Sequence, residues 1–190
     1  MKGFARMLLV GIFALFAGSV FAAETYKAAD FAALLKELPK AKVSLADGVK
    51  QLSKAHETAI SGKFELEDGK LSLSIYTAAK GLAVDAEHNV LKEYAGSPEK
   101  APWKPEGETF KDAEHVDRSS TQLTLMSKSK LSLGEIIQQA GKDQKGTVFS
   151  VNPQAAGGKQ IVEVLVADQG KVTVLRYDLP AGKLIDKATL

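Results

Sequence analysis

Residues 44–81 read SLADGVKQLSKAHETAISGKFELEDGKLSLSIYTAAKG. Ser44-Leu45-Ala46-Asp47 has the form of a capping box, with Asp where Glu or Gln is usual. Leu45, Val49 and Leu52 then recur on one helical face, and the helix is expected to fade over 56–58. From Gly62 the period changes to two. Phe64 and Leu66 alternate with Glu65 and Glu67, and Asp68-Gly69 is a two-residue hairpin signal. Leu71, Leu73, Ile75 and Thr77 alternate with Ser72, Ser74 and Tyr76, as in a strand with one face on a core. Ala79-Lys80-Gly81 is then expected to turn the chain into a short third strand around Ala83 and Val84.

The same pattern recurs downstream. Ser132-Leu133-Gly134-Glu135 is a fuller capping box, and Leu133, Ile136, Ile137 and Ala140 supply the apolar helical face. Phe149 and Val151 open a sheet, 161–166 and 172–177 continue it, and Gly170 marks a turn. The hairpin reads as longer here, with Asn152, Pro153 and the stretch to Gly157-Gly158 in place of the tight Asp-Gly turn. Laid over each other, 71–81 and 160–170 match without gaps at inward positions (Leu73 on Val162, Ile75 on Val164, Thr77 on Val166) and not at outward ones.

Outside the two copies lie three other segments. Lys2 and Arg6 precede an apolar run from Met7 to Ala17, and Val20-Phe21-Ala22 completes a secretory signal, with cleavage expected between Ala22 and Ala23. A retained membrane anchor is the alternative, but the run is short for a span of about 20 residues. In 23–43, Phe31, Leu34, Leu35 and Leu38 predict a docking helix that Asp30 starts and Pro39 ends. Residues 96–120 read as a linker, stiffened by Pro98, Pro102 and Pro105. Trp103 within it is expected to pack over the seam between the two copies, with an exposed recognition anchor as the alternative, and 122–126 reads as a strand or a lead-in to the next helix.

These features resemble the PepSY family of small extracytoplasmic domains. The resemblance lies in a Ser-Leu capped helix, a Gly-Lys hairpin (Gly69-Lys70 and Gly158-Lys159) and a closing turn from Asp85 to Leu91 and from Asp178 to Leu184. In that turn an Asp side chain caps the bend, and the residue four later, Asn89 or Gly182, is suited to positive φ. The resemblance covers about 44–94 and 132–187. It implies a non-catalytic domain of the kind found in propeptides of secreted metallopeptidases and in stand-alone envelope proteins, with no family-wide catalytic residues to carry over.

The chemistry searched for is sparse. Of 25 basic residues, Lys2 and Arg6 lie in the signal, leaving 23 against 23 acidic ones, so the mature chain has no nucleic-acid signature. With no cysteine, thiol catalysis and cysteine–metal sites are excluded. His56, His88 and His115 lack metal-ligand spacing, and no G-x-S-x-G elbow accompanies Ser119-Ser120. Gly157-Gly158-Lys159 lacks Walker spacing, and Glu65, Glu67 and Asp68 read as charges guarding an edge strand.

The sequence therefore predicts an α+β fold: two repeats of one helix packed on a small antiparallel sheet, at 44–95 and 121–190, in a periplasmic or secreted protein. Neither catalytic nor metal residues, and no cofactor, are assigned. The expected role is a binding or regulatory module engaging another envelope protein, such as a peptidase, with a small-ligand or metal-binding carrier as the alternative. No nucleic-acid partner and no membrane span after signal removal are expected. The candidate interaction surface is the unequal part of the two copies: Ala83, Trp103, Asn152, Pro153, Gly157 and Gly158.

Overall fold

The computed structural model describes residues 28–190, so the signal segment with Ala22 and Ala23 lies outside the described residues. Helix α1 (Ala28–Glu37) ends in a single 3-10 turn at Leu38–Lys40, where Pro39 removes a donor. Helix α2 (Leu45–Lys54) starts at the expected capping box: Ser44 Oγ accepts from the Asp47 amide at 3.1 Å, and Asp47 Oδ2 accepts from the Ser44 amide at 3.3 Å. The chain leaves α2 at His56, which takes φ 63°. Four strands follow: β1 (Thr58–Glu67), β2 (Lys70–Ala78), β3 (Leu91–Gly96) and β4 (Glu106–Thr109). Helix α3 (Ala113–Met126) leads to α4 (Leu133–Asp143), which is opened by the Ser132–Glu135 box. Strands β5 (Thr147–Ala156), β6 (Lys159–Asp168), β7 (Lys171–Asp178) and β8 (Lys183–Thr189) end the chain.

All eight strands form one antiparallel sheet, in the order β4-β3-β2-β1-β5-β6-β7-β8. This overturns the expected pair of repeats, each with one helix on its own small sheet. The two halves are joined where β1 pairs with β5, through Gly62↔Val151 and Lys63↔Ser150. The physical reason is edge satisfaction. Two separate sheets would leave the unpaired amides and carbonyls of β1 and β5 exposed, beside apolar side chains such as Phe64 and Phe149 that are fully buried here. Glu65 and Glu67, read as guards of an edge, belong to a strand at the middle of the sheet.

Local readings are corrected in the same way. Ala83 lies in a turn, not a strand; the third strand is β3. The segment 79–90 is held instead by Asn89, whose amide donates to the Gly81 and Val84 carbonyls and whose Oδ1 accepts from the Lys80 amide. Gly182 takes the expected positive φ, 66°, whereas Asn89 does not and works through its side chain. The β5–β6 hairpin is tight: Ala156 pairs with Lys159 around Gly157 and Gly158 at φ 57° and 75°. The expected linker contains β4 and the first half of α3, and 122–126 is helical.

Alternation along β1 assigns the helices to faces. A Cβ on Gly62 would meet Leu45 of α2, whereas its neighbour Ser61 bonds to Gln122 of α3. Thus α2 lies on one face and α3 on the other. Helix α4 packs against α2 and the central strands, and α1 against β1 and β2. The core runs through the sheet rather than forming two centres: Leu45, Ile75, Phe149, Val164 and Met126 belong to one cluster.

Since the sheet is continuous, unfolding in urea should be a single transition. Trp103, the only tryptophan, reports from the β1–β4 half. Its fluorescence and the far-UV circular dichroism should share one midpoint; two midpoints, or two stably folded proteolytic halves, would contradict this architecture. A pair of glycines gives a second check. Gly146 has φ 135°, and a Cβ there would lie 2.4 Å from the Ala167 carbonyl oxygen, so Gly146→Ala should destabilise by about 1–3 kcal/mol. Gly141 of α4 has open space, so Gly141→Ala should stabilise by up to about 1 kcal/mol in the same titration.

Candidate functional site in the sheet seam

On the α3 face the strand registers align polar residues from edge to edge. Glu108 pairs with Glu93, Glu93 with Tyr76 and Tyr76 with Ser61. Across the seam, Asn152 pairs with Glu163, Glu163 with Arg176 and Arg176 with Asp186. Extending the β1–β5 register by one residue sets Ser61 beside Asn152. Gln122 of α3 closes the join: its Oε1 accepts from Ser61 Oγ at 2.7 Å and its Nε2 donates to Asn152 Oδ1 at 2.8 Å. Ser61 and Gln122 are buried, so this amide relieves the cost of burying polar groups at the centre of the sheet.

Beside this bridge the seam opens into a groove of about 300 Å³. Lys63, Ser150 and Gln154 line it from the strands, and Arg118 from α3. Tyr76 forms part of the wall and is itself buried in a stack: its ring lies 5.7 Å from Phe110, which lies 5.2 Å from the His115 imidazole. Burial, with Glu93 and Glu65 nearby, pushes the Tyr76 phenol far up, so it stays protonated. The Arg118 guanidinium sits 5.3 Å from the Tyr76 ring centroid. Lys63 is held by Glu65 in an ion pair along β1.

A second polar cluster lies on the opposite face, at the start of β1. Glu57, 8% exposed, accepts from Thr77 Oγ1 at 2.9 Å, Lys92 Nζ at 2.6 Å and Tyr94 Oη at 2.9 Å. Burial acts to raise its pKa, but the three donors outweigh it and hold the carboxyl below its ordinary value. The Lys92 ammonium is correspondingly pushed up by its bond to Glu57. Through these three bonds Glu57 ties the start of β1 to β2 and β3.

The residues expected to form an interaction surface are dispersed. Trp103 is 3% exposed: its indole donates to the Gly96 carbonyl, and its own carbonyl accepts from Gln51 of α2. Pro153 is buried, Gly157 and Gly158 form an exposed hairpin tip, and Ala83 sits in an exposed turn. Asn152 alone reaches the groove. Sequence reading missed Gln122 and Arg118. The signal was present: Ser119, Gln122, Leu123 and Met126, all buried, recur at i, i+3, i+4 and i+7 and mark a sheet-facing helix with a polar residue in its stripe.

His88 and His115 bond to Asp85 and Asp112 within their own turns. Among the described residues no group of three or more His, Asp or Glu is placed to hold a metal ion, and no helix is long and apolar enough to cross a membrane. No family model matches the chain, and no curated protein matches it. A crystal structure from Clostridium difficile 630, provisionally assigned as a lipoprotein, is similar at a TM-score of 0.40 and 12% identity. The match covers 79% of this chain and 95% of that one, a likeness too low to carry over fold or function.

The Glu57 cluster generates a pH dependence of defined sign. Because its folded-state pKa lies below the ordinary 4.5, its stabilisation is complete above that value and is lost as pH falls through the folded pKa. At pH 7, Glu57→Gln should destabilise by about 1–3 kcal/mol. Between pH 6 and pH 3 that difference should shrink. A difference in urea midpoints that stays constant or grows on acidification would contradict the account.

Proposed function

We propose that this chain is an exported, non-catalytic binding protein, and that its ligand occupies the seam groove on the α3 face. The observation that carries the proposal is the convergence of uncommitted polar groups on one cavity at the join of the sheet. The side chains of Ser150 and Gln154 and the Nδ2 of Asn152 line the groove and make no hydrogen bond among the described residues. Small-ligand sites combine a preformed concavity with a few such groups.

The sheet edges support the groove over strand addition. Strand β4 is four residues long and carries Glu106 and Glu108. Strand β8 carries Lys183 and Lys187, and its register shifts opposite Arg176 and Tyr177, leaving Ile185 out of the pairing. Short length, charge and a bulge are the devices that keep an edge from recruiting another strand. The favoured reading is therefore the small-ligand carrier rather than a peptidase-engaging edge. Export is proposed from Lys2, Arg6 and the apolar run that follows them. Kinship with PepSY domains is proposed from the two capped helices that each lead into tight hairpins.

The test is an amide-resolved NMR titration of the signal-free chain against a library of small polar metabolites. Shifts should cluster on 61–63, 118–122 and 150–154. Gln154→Trp, which places a large ring at the groove, should abolish them while leaving the urea midpoint within about 0.5 kcal/mol, as for a partly exposed surface change. Shifts confined to β8 or to the Glu57 cluster, or none with any compound, would refute the groove as the binding site.

A further inference from the structure

We infer that the ligand of the seam groove carries a carboxylate and that Arg118 anchors it; the inference rests on the groove reading above. The cations of this face are not equivalent. Lys63 is spent on Glu65, and Arg176 on Glu163 and Asp186. The Arg118 guanidinium forms no ion pair and no hydrogen bond among the described residues, although it lines the cavity. What it does have is a platform. The face of Tyr76 sits beneath the guanidinium, and that contact fixes a cation without using any of its five N–H donors. The platform is rigid because Phe110 and His115 stack behind it and α3 begins at Asp112, which caps the His115 amide at 3.0 Å. A positioned guanidinium with free donors is matched by a planar anion that accepts two parallel bonds.

The surroundings restrict the anion further. Glu93 of β3 sits beside Tyr76, whereas Glu65 of β1 is balanced by Lys63, so a negative group is repelled from the β3 side and directed toward α3. The remaining free groups are neutral: the Nδ2 of Asn152, the Gln154 amide and the Ser150 hydroxyl. They suit a ligand body of amide or hydroxyl groups, since both donate and accept. A volume of about 300 Å³ sits at the small end of ligand sites, which limits the body to roughly one acylated dipeptide or one sugar ring. The shared chemistry is a carboxylate on a small polar body, and it has two natural sources: the C-terminus of a short peptide, or an acidic monosaccharide.

The experiment titrates the signal-free chain with four probes by NMR: N-acetylglycylglycine, its C-terminal amide, D-glucuronate and methyl glucoside. The inference expects groove shifts from at least one of the two carboxylates, with the uncharged counterpart bound about 10–100-fold more weakly, the weight of hydrogen bonds to a charged group. The carboxylate that binds names the source. Arg118→Gln should lose the same factor, and Arg118→Lys should recover only part of it, because an ammonium lacks the fork geometry. Arg118 is exposed, so both variants should unfold at the wild-type urea midpoint. Equal groove binding of acid and neutral probes, or an unchanged affinity in Arg118→Gln, overturns the carboxylate inference and leaves the groove standing. Failure of both carboxylates to bind overturns it too. Shifts only outside the groove overturn both readings.

Discussion

Two residue pairs, Gly62 with Val151 and Lys63 with Ser150, join β1 to β5 and convert two four-stranded halves into one sheet. Everything else in the molecule is arranged around that join. Gly62 presents no side chain, so Leu45 of α2 can come down onto the sheet at the seam. Helix α4 reaches the same face from the other half and packs against α2. The join also explains why strands of ten residues need so short a pairing. Each has a full ladder on its outer side, β1 with β2 and β5 with β6, so the seam has only to close the remaining edge where the two strands cross.

The seam is costly on the α3 face, because the register brings a line of polar side chains through the middle of the sheet. The two ends of that line are handled by solvent and by charge. Glu108 is exposed, and Arg176 lies between Glu163 and Asp186. The centre can be handled only by a group that donates and accepts in fixed geometry, and the amide of Gln122 does both. Apolar residues at Ser61 and Asn152 would satisfy the same register more simply. A bonded polar trio there, beside uncommitted groups that open to the groove, is the arrangement on which the proposed ligand site rests.

Much of the local structure was legible in the chain. The capping boxes at Ser44 and Ser132, the Asp68-Gly69 hairpin and the alternation of β2 rest on neighbours within a few residues, and local pattern encodes them directly. The seam did not show, because it pairs residues far apart in sequence and no periodicity marks which edges will meet. Pro153 misled for a related reason. A proline argues against a central strand, and the stretch from Asn152 to Gly158 reads locally as a long hairpin loop. Yet β1 pairs with β5 only as far as Val151, and on that side of β5 the ladder has ended by Pro153, so the missing amide forfeits no bond there. Trp103, set among prolines, is buried, but its indole and carbonyl are bonded into the first half rather than across the seam where its packing is expected from sequence.

The groove itself follows from one departure from balance. On either side of the seam the chain runs helix, then four antiparallel strands, and this alone would give two equivalent faces. Only one helix, α3, is available for the second face, because it is made by the segment that connects the halves. It begins beside the β2–β3 half, where Phe110, His115 and Arg118 cluster on Tyr76. It ends with Leu123, Leu125 and Met126 buried in the core that holds Leu165 and Val174 of the other half. One half of this face is therefore closed by apolar packing and the other by a charged and aromatic helix start. Between them the seam is bridged by Gln122 alone, with a cation above the neighbouring wall and unspent amides below it. The connecting helix crosses the doubled sheet once, and the position of the groove beside Gln122 is set by where the first half hands over to the second.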